Sequence, residues 1–266
     1  MLINRKMLKT DARAAMRESK GRVLGAGVVF LLILLLLEVL GMAVNGEFAA
    51  LKEMYLSLAE GELTIPEIQT KAGSGLIIYA LDAMIILLSV GFSIVALKGS
   101  RREEVSIGML FDGFSMFWRS LAVYLLRYLL VLLWTMVYTI PVALLSALGT
   151  AGSVVGTLLC LPLLALPLRI WYVYSQAVNI LIDNPKLNPL ECLLRSKKMM
   201  QGHKWEACKL DLSFLGWILL CCVFPPLLFW LWPWLGVTRA RFYDVLLPLQ
   251  KEEPSETPAA DSSAEL

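Results

Sequence analysis

Histidine is almost missing from this chain: His203 is the only one among 266 residues. A single imidazole cannot build a histidine metal cluster and leaves a histidine-dependent catalytic triad without support. Charge is scarce too, at 17% of residues where soluble domains carry about a quarter. Five cysteines, at 160, 192, 208, 221 and 222, show no CxxC spacing, and an odd number excludes a complete disulfide framework. Four of them lie in or beside apolar segments, the ordinary setting of a small polarizable packing residue. HExxH, Gly-x-Ser-x-Gly and phosphate-binding glycine-rich loops are absent. Enzyme chemistry therefore has no support, and no cofactor or metal site is expected.

Apolar residues are what the chain has in plenty. They make up 58% of it and fall in blocks that reach the roughly 20 residues a bilayer crossing needs. The expected fold is all-α: a polytopic membrane helical bundle, flanked by cytoplasmic amphipathic helices. Residues 1–22 hold seven Lys and Arg against Asp11 and Glu18, with apolar residues at helical spacing, and read as a basic amphipathic helix. The following run, Val23 to Val44, is too long for a signal-peptide core and has no cleavage site after it, so it is the first expected span. Further spans are expected at about 75–97, 120–145, 154–182, 205–223 and 227–247, within a membrane domain covering 23–249. Residues 250–266 form an acidic tail rich in Pro, Ser and Ala, expected to be disordered.

Two connecting segments carry their own signals. Met109, Leu110, Phe111, Phe114 and Phe117 form an apolar patch expected at headgroup depth. Asn188-Pro189-Leu190-Glu191 is a helix start with cap, first-turn proline and reaching glutamate. In the helix it opens, Leu190, Leu193, Leu194 and Met200 are expected to face lipid while Arg195, Lys197 and Lys198 stay in water.

Lys and Arg counts set the orientation. With six spans, the segments on one side hold 7, 4, 6 and 3 of these residues, and the other side holds only Lys52 and Lys71. Five spans, the alternative, would put Arg239 and Arg241 on the poor side. The reading is a bacterial cell-membrane, multi-pass protein with both termini cytoplasmic. Its partners are anionic lipids at the cytoplasmic face and an unidentified membrane or cytoplasmic protein; nucleic acid is not expected.

Charged residues within spans usually face the bundle interior or a water-filled cavity. Glu38 and Asp82 each lie about 10 Å from the outer ends of neighbouring spans, at 1.5 Å per residue. They are candidates for a cation or proton site, or for simple headgroup contact. Arg127 shares a helical face with Ser120, Tyr124, Trp134 and Tyr138. Arg169 heads a polar stripe with Tyr172, Gln176 and Asn179. Two arginines facing one cavity suit an anion such as a lipid phosphate. The structural alternative is that both bond to carbonyls freed by nearby prolines, or snorkel.

Several motifs then converge. Ile182-Asp183-Asn184-Pro185, Ser196 to Lys204 (with Met199 and Gly202), Leu210 to Trp217 (with Ser213 and Gly216) and Phe242-Tyr243 resemble a bacterial family of integral membrane proteins, Domain of Unknown Function 975. Leu110-Phe111-Asp112-Gly113-Phe114 and Ile140-Pro141 fit the same pattern, although Val142 stands where the family usually has glycine. The resemblance covers about 5–247 and implies a six-helix membrane protein, with no activity attached. It leaves Asp183 and Asn184 as helix caps and Gly216 as a close-packing position. The functional expectation is a non-enzymatic membrane-organising or partner-binding component. Its alternative is a small transporter or channel subunit for an anion or lipid headgroup, using Arg127 and Arg169.

Overall fold

A computed structural model describes residues 4–61, 74–147, 149–150, 154–156, 158 and 165–252; the expected tail beyond 252 lies outside the described residues. Every described element is helical. In chain order these are α1 (Arg5–Glu18), α2 (Arg22–Asn45), α3 (Glu47–Ala59), α4 (Ser74–Ser100), a 3-10 segment (Ile107–Met116) and α5 (Phe117–Ser146). Then follow α6 (Ala165–Val173), α7 (Ala177–Asp183), α8 (Pro189–Met199), α9 (Lys204–Leu212), α10 (Leu215–Val223), a short 3-10 turn (Pro225–Leu227) and α11 (Leu228–Glu252).

Among the described residues, three helical stretches are long and apolar enough to cross a membrane: Arg22–Asn45, Gly75–Ser100 and Ile107–Ser146. The other expected crossings differ from continuous spans. The described part of 154–182 is broken at Tyr174–Gln176, and 205–223 is broken at Ser213–Phe214. The last, α11, carries Arg239, Arg241 and Asp244 along with Pro233 and Pro248.

The second half of α4 is the packed centre, with Leu87, Leu88, Val90, Val95 and Leu97 nearly free of solvent. Antiparallel α2 lies against it, Phe30 stacking on Phe92 with ring centres 4.7 Å apart. Parallel α11 packs on another side, where Gly236 sits against Phe92 and Ala96. The 3-10 segment lies backbone to backbone on α4. A side chain on Gly91 would collide with the Leu110 carbonyl, and one on Gly113 with the Leu87 carbonyl. Leu110 is therefore fully buried against protein, while Phe111 and Phe114 of the same patch stay exposed.

Both amphipathic helices form as expected, and α8 docks differently than expected. Asn4 caps α1 by accepting from the Lys6 and Met7 amides. Its apolar face, Leu8, Ala12, Ala15 and Met16, is buried within the bundle, chiefly against α11. In α8, Glu191 reaches back to the Asn188 N–H at 3.4 Å. Leu193 and Met200, expected to meet lipid, are instead 1% and 0% exposed, because α8 packs on α5 and α7; only Leu190 and Leu194 point outward.

One ionic cluster ties the Ser100 end of α4 to α7 and α11. The Arg101 guanidinium donates two 2.8 Å bonds to Asp183 and two, at 2.9 and 3.0 Å, to one oxygen of Asp244. Tyr243 donates to Asp183 at 3.0 Å, and Ser100 to Asp244 at 2.8 Å. The bonds to Asp183 and then to Asp244 raise the Arg101 pKa further above its ordinary value, against burial, which works to lower it. Fork-shaped bidentate pairing supplies geometry as well as energy.

The ion-paired side chains of this cluster retain 16–30% exposure, so breaking it should cost less than the loss of a fully buried pair. Arg101→Gln, which leaves two carboxylates facing each other, is expected to lose about 2–3 kcal/mol. Arg102→Gln removes only exposed pairs to Asp11 and Glu18 and should lose under about 1 kcal/mol. Equilibrium unfolding of both variants in detergent checks the ranking.

Candidate functional site

The polar groups of α4, α5, α6, α7, α9 and α11 converge on a cavity of about 340 Å³. Ser89 and Ser93 supply the α4 wall, each hydroxyl donating to the carbonyl four residues earlier, which keeps it compatible with the helix. Tyr124 and Arg127 come from α5. Arg127 is 9% exposed, its guanidinium carbon 3.7 Å from the centre of the Trp171 ring. One terminal nitrogen donates to the Trp171 carbonyl at 3.5 Å, a long bond, and its buried Nε has no partner. Arg127 makes no ion pair among the described residues.

Asp211 is the carboxylate of the cavity, and it is already committed. Arg239 donates to one oxygen at 3.0 Å and Tyr172 to the other at 3.1 Å. The cavity thus holds two guanidinium groups and one carboxylate, with the deeper arginine uncompensated. A charge removed from water without a counter-charge is costly, and a cation stacked on an aromatic face recovers only part of that cost.

The break between α6 and α7 brings Tyr172, Gln176 and Asn179 to this cavity. There the Ser175 and Ala177 amides shorten to i−3 bonds, and a side chain from α8 takes the Gln176 amide. The fully buried Ser196 hydroxyl accepts from the Gln176 amide at 3.2 Å and donates to the Val173 carbonyl at 2.9 Å. Gln176 in turn donates to Ser175 and accepts from Asn179 at 3.0 Å. The expected polar stripe is therefore present but bent.

Arg169, the head of that stripe, is not brought in: it is exposed on α6, outside the cavity wall. The second arginine of the cavity is Arg239. Glu38 and Asp82 do meet, on facing turns of α2 and α4, where they line a separate cleft of about 110 Å³ with Asn45 and Glu47. Both carboxylates are exposed.

The motif residues fall at the joints of the fold. Asp183 and Tyr243 belong to the Arg101 cluster, and Phe242 is buried beside the cavity. Asn184 ends α7, its amide bonding to the Ile180 carbonyl, and the Pro185 carbonyl accepts from Arg119. Met199 is buried, and Gly202 adopts a φ of +77° that suits glycine where α8 stops. Ser213 forms the α9–α10 break, where its carbonyl accepts from Lys9 at 2.7 Å, and Trp217 packs on Trp230 and Trp234. Gly216 is not a close-packing position, since a side chain there would meet nothing within 4 Å. The sequence reading missed Arg101, Asp211, Arg239 and Asp244. Three of these are charges inside apolar runs, so the rule that singled out Arg127 would have found them.

A family model described as "Protein of unknown function (DUF975)" matches residues 1–250. Comparison with curated proteins and with solved structures finds no match.

If Ser196 holds the α6–α7 break open, Ser196→Ala strands the Gln176 amide and the Val173 carbonyl in a buried place. The expected loss is about 1–3 kcal/mol, measured by unfolding in detergent, with faster amide exchange at residues 173–177 than in α4.

Proposed function

The chain belongs to the DUF975 family of proteins of unknown function, a membership that confers no activity, and we propose from the cavity's own chemistry that it is a non-enzymatic membrane protein that binds an oxyanion group at Arg127. One observation carries this reading: a buried guanidinium lining a cavity, without a carboxylate partner among the described residues and with no partner for its Nε. An oxyanion supplies what Arg127 lacks, since a guanidinium fork matches a phosphate or carboxylate edge. Tyr172, Gln176, Asn179 and Ser93 then orient the group, and Arg239 reinforces the field from the rim. The volume, about 340 Å³, lies at the small end of ligand pockets and suits a headgroup or a small solute. Phosphate is the shared chemistry of the two candidate sources, a lipid headgroup and free inorganic phosphate.

In this reading the protein crosses the membrane six times, with both termini cytoplasmic. Residues 165–183 and 204–223 still reach about 28–30 Å at 1.5 Å per residue. They serve as two broken crossings, and such breaks expose backbone and polar side chains at substrate sites in transporters. A second reading, a membrane-organising component that binds another protein, draws on the Ile107–Ser146 stretch. None of its most apolar window is buried, which leaves that face to lipid or to a partner helix.

The ligand reading makes an unusual stability prediction. Because Arg127 is uncompensated without ligand, Arg127→Met is expected to raise the stability of the unliganded protein by about 1 kcal/mol or more. It should also abolish stabilisation by inorganic phosphate, or lower that by phosphatidylglycerol if the headgroup is the source; in the parent either grows with concentration above Kd. Thermal unfolding in neutral detergent, with inorganic phosphate in one arm and phosphatidylglycerol in the other, measures both and separates the two sources. If neither arm stabilises the parent and Arg127→Met lowers stability, the anion reading fails and the partner-binding reading remains.

A further inference from the structure

The basic residues of α1 do not all serve the same purpose. Asp11 and Glu18 lie on the side facing α11 and the α4 terminus, where Asp11 pairs with Arg241 at 3.0 Å and Glu18 with Arg102 at 3.0 Å. Arg5, Lys9, Arg13 and Arg17 recur every four residues and so form one stripe of the helix. None of the four makes an ion pair among the described residues. Lys9 is used in docking: its ammonium donates to the Ser213 carbonyl and sits 3.9 Å from the centre of the Phe214 ring. Burial, then Arg13 and Arg5, pull the Lys9 pKa below the ordinary lysine value, which reports a locally positive field.

Next along the stripe, the Arg13 guanidinium lies 4.0 Å from the Trp234 ring centre and 5.5 Å from that of Trp230. Beyond it opens a cleft of about 500 Å³, lined by Arg13, Met16, Arg17, Leu24, Trp217 and Trp230. Its position identifies its occupant. Gly21 and Leu24 belong to the junction with α2, one of the three membrane-competent stretches. The cleft therefore straddles the end of a span, with arginines on one side and apolar and tryptophan walls running onto the span. Tryptophan favours this depth, where headgroups meet acyl chains.

We propose that this cleft is a binding site for one anionic phospholipid, its phosphate seated between Arg13 and Arg17 and its acyl chain lying along Leu24 and against the paired rings of Trp217 and Trp230. The site is independent of Arg127, and neither reading requires the other. It also narrows the role of the basic residues. The α1 stripe selects and holds a lipid, while the solvated basic residues of α8 contribute only diffuse attraction.

Native mass spectrometry of the full-length protein in neutral detergent, with added phosphatidylglycerol or phosphatidylcholine, tests this. The parent is expected to retain one phosphatidylglycerol and to bind phosphatidylcholine at least about tenfold more weakly, as charge recognition requires. Each arginine near a phosphate is worth about fivefold in affinity, so R13Q/R17Q should weaken phosphatidylglycerol binding roughly 25-fold. R17Q alone removes an exposed side chain without a docking role and should cost roughly fivefold; it keeps the test valid if the double variant folds poorly. R195Q/K198Q on α8 should leave this binding unchanged. The proposal is overturned if R17Q binds as the parent does, if the α8 pair weakens binding equally, if phosphatidylcholine binds as tightly, or if inorganic phosphate displaces the lipid.

Discussion

The guanidinium of Arg101, shared between Asp183 and Asp244, is the interaction on which the arrangement of helices depends. It joins elements more than eighty and more than one hundred and forty residues away in sequence, and each of its carboxylates has a second donor, Tyr243 or Ser100. A charged cluster near the end of a membrane bundle is stabilising only when its members are nearly all satisfied. Here they are, so α4, α7 and α11 are fixed in register at one end. Their lengths then fix what faces what further in. Gly236 meets Phe92 and Ala96, and the α6–α7 break meets the face of α4 that carries Ser89 and Ser93.

Against that satisfied cluster, Arg127 stands out. The same physical rule applies to both arginines, that a charge taken out of water needs a partner. The fold meets it at Arg101 with two carboxylates and leaves it unmet at Arg127, where the available carboxylate is held by Arg239 and Tyr172. Stability alone would not favour this arrangement, since an apolar residue of similar size would cost less. The proposed binding would explain it, because an incoming oxyanion restores the missing charge. The lipid cleft at α1 follows a gentler version of the same logic, with arginines held by tryptophan faces at the membrane boundary, where water still screens them.

Much of the fold was legible, for reasons that differ by element. The runs containing α2, α4 and α5 announce themselves because length and apolarity are the whole physical requirement of a span. The periodicity of α1 and the cap and periodicity of α8 were equally plain. What covers their apolar faces was not, because a hydrophobic stripe fits lipid and protein alike, and Leu193 and Met200 turned out to be buried in protein. The break at Tyr174–Gln176 contains no glycine or proline, and the group that permits it, Ser196, lies twenty residues on. No local signal encodes such a partner. The charge rule found Arg127 and misjudged Arg169, since a residue's presence in an apolar run does not say which way it faces.

The role of the cavity depends on whether an oxyanion completes the charge at Arg127. The most direct measurement is anomalous diffraction from crystals of the protein soaked in selenate, an oxyanion of phosphate's shape. An anomalous peak is expected in the cavity, with oxygens about 2.7–2.9 Å from the Arg127 guanidinium and within reach of Tyr172 or Gln176. A cavity without a peak, with Arg127 Nε donating to a protein carboxylate or carbonyl, would contradict oxyanion binding there.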